Sequence, residues 1–154
     1  MASTTNLQLP KINASDYISP DPINSAFDIL DKLGIDYVVE QGKSGEWWFR
    51  KWNSGRAECG IDNKSFGNID HTAQWGGMYS SSQRSFGNYP FAFVSRPYTS
   101  ITFQSTTNGT VHSSYVAQAS STSKTEAPKF MLIDPNSGTA LNATLGIYVC
   151  GRYK

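Results

Sequence analysis

From Tyr37 onward, apolar and polar residues alternate in short runs broken by turn-forming residues. That two-residue period belongs to strands with one buried face. WWFRKW (47–52) and RAEC (56–59) are separated by Asn53-Ser54-Gly55, which fits a three-residue hairpin loop. Asn108-Gly109 is a strong hairpin signal joining SITFQST to TVHSSYVAQAS, and Pro135-Asn136-Ser137-Gly138 separates KFMLID from a last strand, ATLGIYVCGRYK. The two prolines of YPFAFVSRPYTS fit strands interrupted at edges or bends. Together these predict a mainly β chain, with an antiparallel β-sandwich over residues 37–154.

Residues 1–36 show a different pattern. In DPINSAFDILDKLG, Asp21 is a good N-cap, Pro22 stands at the first helical position and Gly34 can terminate the helix. Ile23, Ala26, Phe27, Leu30 and Leu33 recur at spacings of three and four, making one apolar stripe. A helix this short is marginal alone, so the stripe needs a partner. Either the chain's own β domain or the same helix from identical chains would serve. Residues 1–20 are polar with Pro10 and Pro20, while Leu7 and Leu9 give LQLPKI an alternating pattern. They read as an extended arm, ordered by docking on a neighbour.

Residues 60–88 resist the strand pattern, being rich in Gly, Ser and Asn and poor in β-branched residues. They predict a long loop, and long loops in compact domains are often functional. His71, Trp75, Tyr79, Arg84 and Phe86 are its candidate ligand-binding residues, as aromatic anchors among small polar residues characterise adaptable binding surfaces. The alternative is that Trp75 and Tyr79 cap one end of the sandwich. In EWWFRKW, alternation places Trp47, Phe49 and Lys51 on one face and Trp48, Arg50 and Trp52 on the other. Arg50 is expected to stack on a neighbouring indole, and Arg56 and Glu58 share a face around Ala57. Packing is the favoured role for these aromatics, and a sugar-stacking platform is the rival.

Composition narrows the classes. Of 154 residues, 38% are hydrophobic and 16% charged, but aromatics reach 13%, which is not a disordered composition. A net charge of +1 with no basic stripe argues against nucleic acid. No apolar run of about 20 residues suggests membrane insertion, and MASTTNLQLP has no secretory pattern, so assembly in the cytoplasm is expected. Cys59 and Cys150 read as small buried thiols, with a bridge left open should their strands be neighbours. His71 and His112 have no ligand-type residues at metal spacing, and no phosphate loop, nucleophile elbow or zinc-binding helix occurs. No metal, no cofactor and no enzymatic activity are expected. Most acids lie in the arm and helix, leaving the β region poor in the paired carboxylates a glycosidase requires.

VVEQGKSGEWWFRKWNSGRAEC (Val38 to Cys59) resembles a module of tail-fibre and baseplate-associated proteins of phages, prophages and tail-like particles of Gram-positive bacteria. Glu40, Gly42, Ser44, Gly45, Trp48, Arg50, Lys51, Trp52, Ser54, Gly55, Ala57, Glu58 and Cys59 fit the pattern, with Phe49 replacing a Tyr and Gly60 a Trp. WGGMY (75–79), YPFAF (89–93) and GRYK (151–154) also look like that module, so the resemblance spans 38–154. The opening residues resemble the N-termini of short phage tail proteins. The resemblance implies a homotrimeric virion protein. Its arm and helix, through Leu7, Leu9, Ile23, Phe27, Leu30 and Leu33, would trimerise and bind other virion proteins. Its β domain would recognise a host surface polysaccharide. The alternatives are a purely structural virion component (baseplate, collar or head fibre) and, more remotely, a cell-wall polysaccharide enzyme. Loss of the Trp at position 60 is expected to loosen the loop beyond it.

Overall fold

The computed structural model describes residues 24–29, 36–105, 115–118 and 123–154. The chain divides into two compact units, Met1–Tyr37 and Val38–Lys154. In the first, residues 24–29 are helical and Phe27 is 61% exposed. The expectations for Leu7, Leu9, Asp21, Pro22, Ile23, Leu30, Leu33, Gly34 and the Asn108-Gly109 turn lie outside the described residues. No described helix is long and apolar enough to cross a membrane.

The second unit is built of antiparallel sheets. Its strands are β1 (Val38–Ser44), β2 (Trp47–Trp52), β3 (Arg56–His71), β4 (Ala73–Trp75), β5 (Met78–Ser80), β6 (Tyr98–Ser105), β7 (Tyr115–Gln118), β8 (Phe130–Asp134) and β9 (Gly138–Arg152). One sheet has the order β1-β2-β3-β9-β6, the other β4-β5-β8-β7. The β2–β3 turn is the expected Asn53-Ser54-Gly55. Gly55 has φ +89°, its amide donates to the Trp52 carbonyl at 3.0 Å, and a Cβ there would lie 2.7 Å from the Lys154 carbonyl oxygen. Glycine is the residue that takes this backbone without strain. The Pro135–Gly138 turn also forms, closed by the Asn136 amide donating to Asp134 Oδ1 at 2.8 Å. It carries the chain from one sheet to the other.

Two strand expectations change. The described part of SITFQST lies in β6 and pairs with β9, and the described part of TVHSSYVAQAS is β7 and pairs with β8. Residues 60–88 are no continuous loop either, since Cys59 and Gly60 lie inside a strand that runs to His71 and pairs with β9. Three register shifts, between Ile61 and Lys64, Ser65 and Gly67, and Gly67 and Ile69, let this strand absorb residues that read as breakers. Gly67 (φ +66°) and Asn142 (φ +51°) supply the left-handed backbone, and the Asn142 amide donates to Asn68 Oδ1 at 3.1 Å.

The core arises from β2's alternation. Trp47 is buried edge-on against Tyr89 (centroids 5.7 Å apart), and Phe49 packs edge-on against Phe91 (6.0 Å), which meets Phe93 at 4.8 Å. Lys51, on the same face, holds its ammonium 4.9 Å from the Phe91 ring centre and pairs with Glu40 at 2.8 Å. Its stem thus covers aromatic surface while its charge stays paired. A second cluster joins Phe66, Phe86 and Phe130 at 5.1–5.4 Å. Val149 and Leu145 of β9 are fully buried beside Cys59 and Ala143.

Candidate functional site

The register of the five-stranded sheet aligns one row of residues as Lys43–Trp48–Gly60–Tyr148–Ser100, and the next as Gln41–Arg50–Glu58–Cys150–Tyr98. Their neighbours Phe49, Cys59 and Val149 point into the core, so alternation turns both rows outward. Gly60 is the low point. A Cβ there would sit 2.7 Å from both the Ile147 carbonyl oxygen and Trp48 Cζ2, so the Trp48 indole lies over the glycine. Tyr148 flanks it from the other side, with ring centres 6.2 Å apart and planes tilted by 41°. Gly146 is equally restricted, with the Asp62 carbonyl 2.7 Å from where its Cβ would stand.

Trp48, Gly146 and Tyr148, with Ile61 and Ile147, line an open groove of about 300 Å³, whose polar rim is Asp62, Asn63, Thr102 and Gln104. Each side chain has a local reason for its place. The register shift after Ile61 leaves Asp62 and Asn63 exposed, and Asp62 Oδ1 accepts the Trp48 indole N–H at 3.0 Å. That bond fixes the indole's rotation. The Tyr148 hydroxyl donates to Glu58 Oε2 at 2.6 Å, and Arg50 Nη1 lies 3.7 Å from Glu58 Oε1. Burial, then the hydrogen bond to Glu58, pushes the Tyr148 hydroxyl up to about 12. It therefore stays a neutral donor through the neutral range. A half-buried indole and a phenol with fixed orientations, rimmed by hydroxyl, amide and carboxylate groups, can stack a ring and hydrogen-bond its substituents.

The five residues expected to bind ligand do not converge on one surface. Phe86 is buried in the second aromatic cluster, between the isolated bridges of Arg84 to Phe130 and Asn88 to Glu126. His71 is also buried, at the end of β3 opposite Gly138, where its Nδ1 has no hydrogen-bond partner. Trp75 is 58% exposed beside the tight Gly76-Gly77 turn of the β4–β5 hairpin. It pairs with Met78 while Tyr79 pairs with Gln74, so Trp75 and Tyr79 face opposite sides of the hairpin. Arg84 is exposed, its backbone bridged to Phe130.

The expected stacking of Arg50 on an indole is also replaced. Arg56 lies over Trp52 at 5.3 Å, while Arg50 turns to Glu58. The cysteines are free: Cys59 opposes Val149 and Cys150 opposes Glu58, so on adjacent strands they face opposite sides of the sheet. Burial, with Glu58 adding to it, pushes the Cys59 thiol up to about 12, which keeps it unreactive. Among the described residues no three His, Cys, Asp or Glu side chains group as metal ligands.

Sequence reasoning missed Tyr148 and Gln104 as candidate site residues, and for Trp48 favoured packing over a sugar-stacking platform. A signal existed in GIYVC, where Tyr148 interrupts an otherwise inward apolar alternation on its outward step. No family model, curated protein or solved structure matches this chain.

Proposed function

We propose that this chain is a tail-fibre-like, receptor-binding virion protein. In this reading residues 1–36 attach it to the particle, the two sheets form the layers of a β-sandwich head, and three copies assemble. The head recognises a host cell-surface glycan. The observation that carries the reading is the outward groove in which Trp48 and Tyr148 flank Gly60 within reach of Asp62, Asn63, Thr102 and Gln104. Aromatic surface suits the apolar face of a pyranose, and the polar rim suits its hydroxyls. The groove is open and shallow, so each site is weak and a trimer gains by avidity.

Glycan-array and host-cell adsorption measurements on the purified chain test this. Trp48→Ala is expected to abolish adsorption, whereas Trp75→Ala leaves it intact. The opposite pattern moves the site to the β4–β5 hairpin, and no adsorption by the unaltered chain removes the reading.

A second reading is a purely structural virion component that binds only other particle proteins. Tyr98 (66% exposed), Val38 and Val39 favour it, as large apolar side chains on the two edge strands of one sheet. It predicts particle incorporation without any host adsorption.

A further inference from the structure

A second depression, of about 400 Å³, adjoins the first and shares Trp48 with it. It opens between β1 and β2, where Lys43 opposes Trp48 and Gln41 opposes Arg50. Lys43 and Arg50 are therefore diagonal neighbours on the outward face, with Cα atoms about 7–8 Å apart, close enough for two long side chains to converge. No carboxylate lines this depression. Of the acids nearby, Asp62 is engaged with the Trp48 indole, Glu46 with Lys64 and Glu40 with Lys51, while Glu58 accepts from Tyr148 and also lies beside Arg50. Arg50 keeps a side chain that is 55% exposed, and its contact with Glu58, at 3.7 Å, is loose. The surface around Trp48 is thus split, with hydroxyl-binding groups and a carboxylate on one side and two cations on the other.

We infer that the groove takes an acidic saccharide, a pyranose seated on Trp48 whose phosphate or carboxylate group is held by Lys43 and Arg50. This rests on the glycan-binding reading and narrows its ligand class. The ring supplies stacking and the cations supply charge-assisted hydrogen bonds to anionic oxygens. Because both cations face solvent, the preference for the acidic sugar is modest and screened by salt.

The test titrates the full chain with four probes, N-acetylglucosamine, N-acetylglucosamine 6-phosphate, glucuronic acid and inorganic phosphate, reading amide and indole shifts by NMR. At low salt the acidic sugars are expected to bind about fivefold more tightly than the neutral one. Lys43→Gln, which alters an exposed residue, is expected to erase that advantage. A larger gain for phosphate or for carboxylate supports the inference equally and tells the two anions apart. Equal affinities for neutral and acidic sugars, or an advantage that survives Lys43→Gln, overturn the inference while leaving glycan binding standing. Phosphate alone binding as tightly as the sugar phosphate also overturns it, because the ring would then contribute nothing. If neither these sugars nor host wall polysaccharide bind, the glycan reading falls with it.

Discussion

Gly60 has no room for a side chain, with the Ile147 carbonyl and the Trp48 indole both 2.7 Å from where a Cβ would stand. A tryptophan at this position would collide with the Ile147 carbonyl and with the Trp48 indole. The glycine does not loosen the segment beyond it, because β3 continues through eleven further residues to His71. Gly60→Ala is expected to cost about 1–3 kcal/mol, as overpacked sites do, since the backbone oxygen cannot yield. Chemical denaturation followed by tryptophan emission measures this, and an unchanged midpoint contradicts the contact. At the same scale, alternation correctly assigned the faces of Trp47, Phe49 and Lys51. It misplaced Arg50, which turns to Glu58 while Arg56 covers Trp52, because a long side chain chooses among partners that only the fold assembles.

Among the elements, the β2–β3 hairpin was legible and the length of β3 was not. Asn53-Ser54-Gly55 announces its turn through local backbone preference, and Gly55 adopts the positive φ that glycine provides. Gly55→Ala is expected to destabilise the protein by about 1–3 kcal/mol, through backbone strain and the clash with the Lys154 carbonyl. A thermal melt reads the loss, and a variant as stable as the parent would mean the turn can take another shape. Beyond Cys59 the local signal fails. Asp62, Asn63, Ser65 and Gly67 are weak strand formers; Ser65 and Gly67 are held by pairing with β9, about eighty residues away, and Asp62 and Asn63 fall in the register shift between the paired Ile61 and Lys64. The same long-range pairing places the buried His71 opposite Gly138, and Phe86 is buried against Phe66 and Phe130. Loop composition had placed both His71 and Phe86 at a ligand.

For the molecule as a whole, the hydrophobic core cluster of the described residues runs from Trp47 to Val149, with Tyr153 packed against it. The Val38–Lys154 unit thus carries a core of its own. Phe27, in the other unit, is 61% exposed. Sedimentation or light scattering of the full chain is expected to give about three times its 16.9 kDa mass. A chain beginning at Val38 is expected to stay folded but lose that association. A full chain that remains monomeric at working concentrations removes the trimer from the proposal.

The sequence by itself determined the strand-rich class, the change of character near residue 37, the tight turns at 53–55 and 135–138, and the two-faced patterning of β2. These depend on backbone preference and on side-chain alternation within a few residues. Tertiary structure alone decided that β6 pairs with β9 and β7 with β8, that Arg56 rather than Arg50 covers Trp52, and that Trp48 meets Tyr148 over Gly60. Each of those depends on register between strands distant along the chain, where bulges shift which residues stand opposite, and no local preference carries that information.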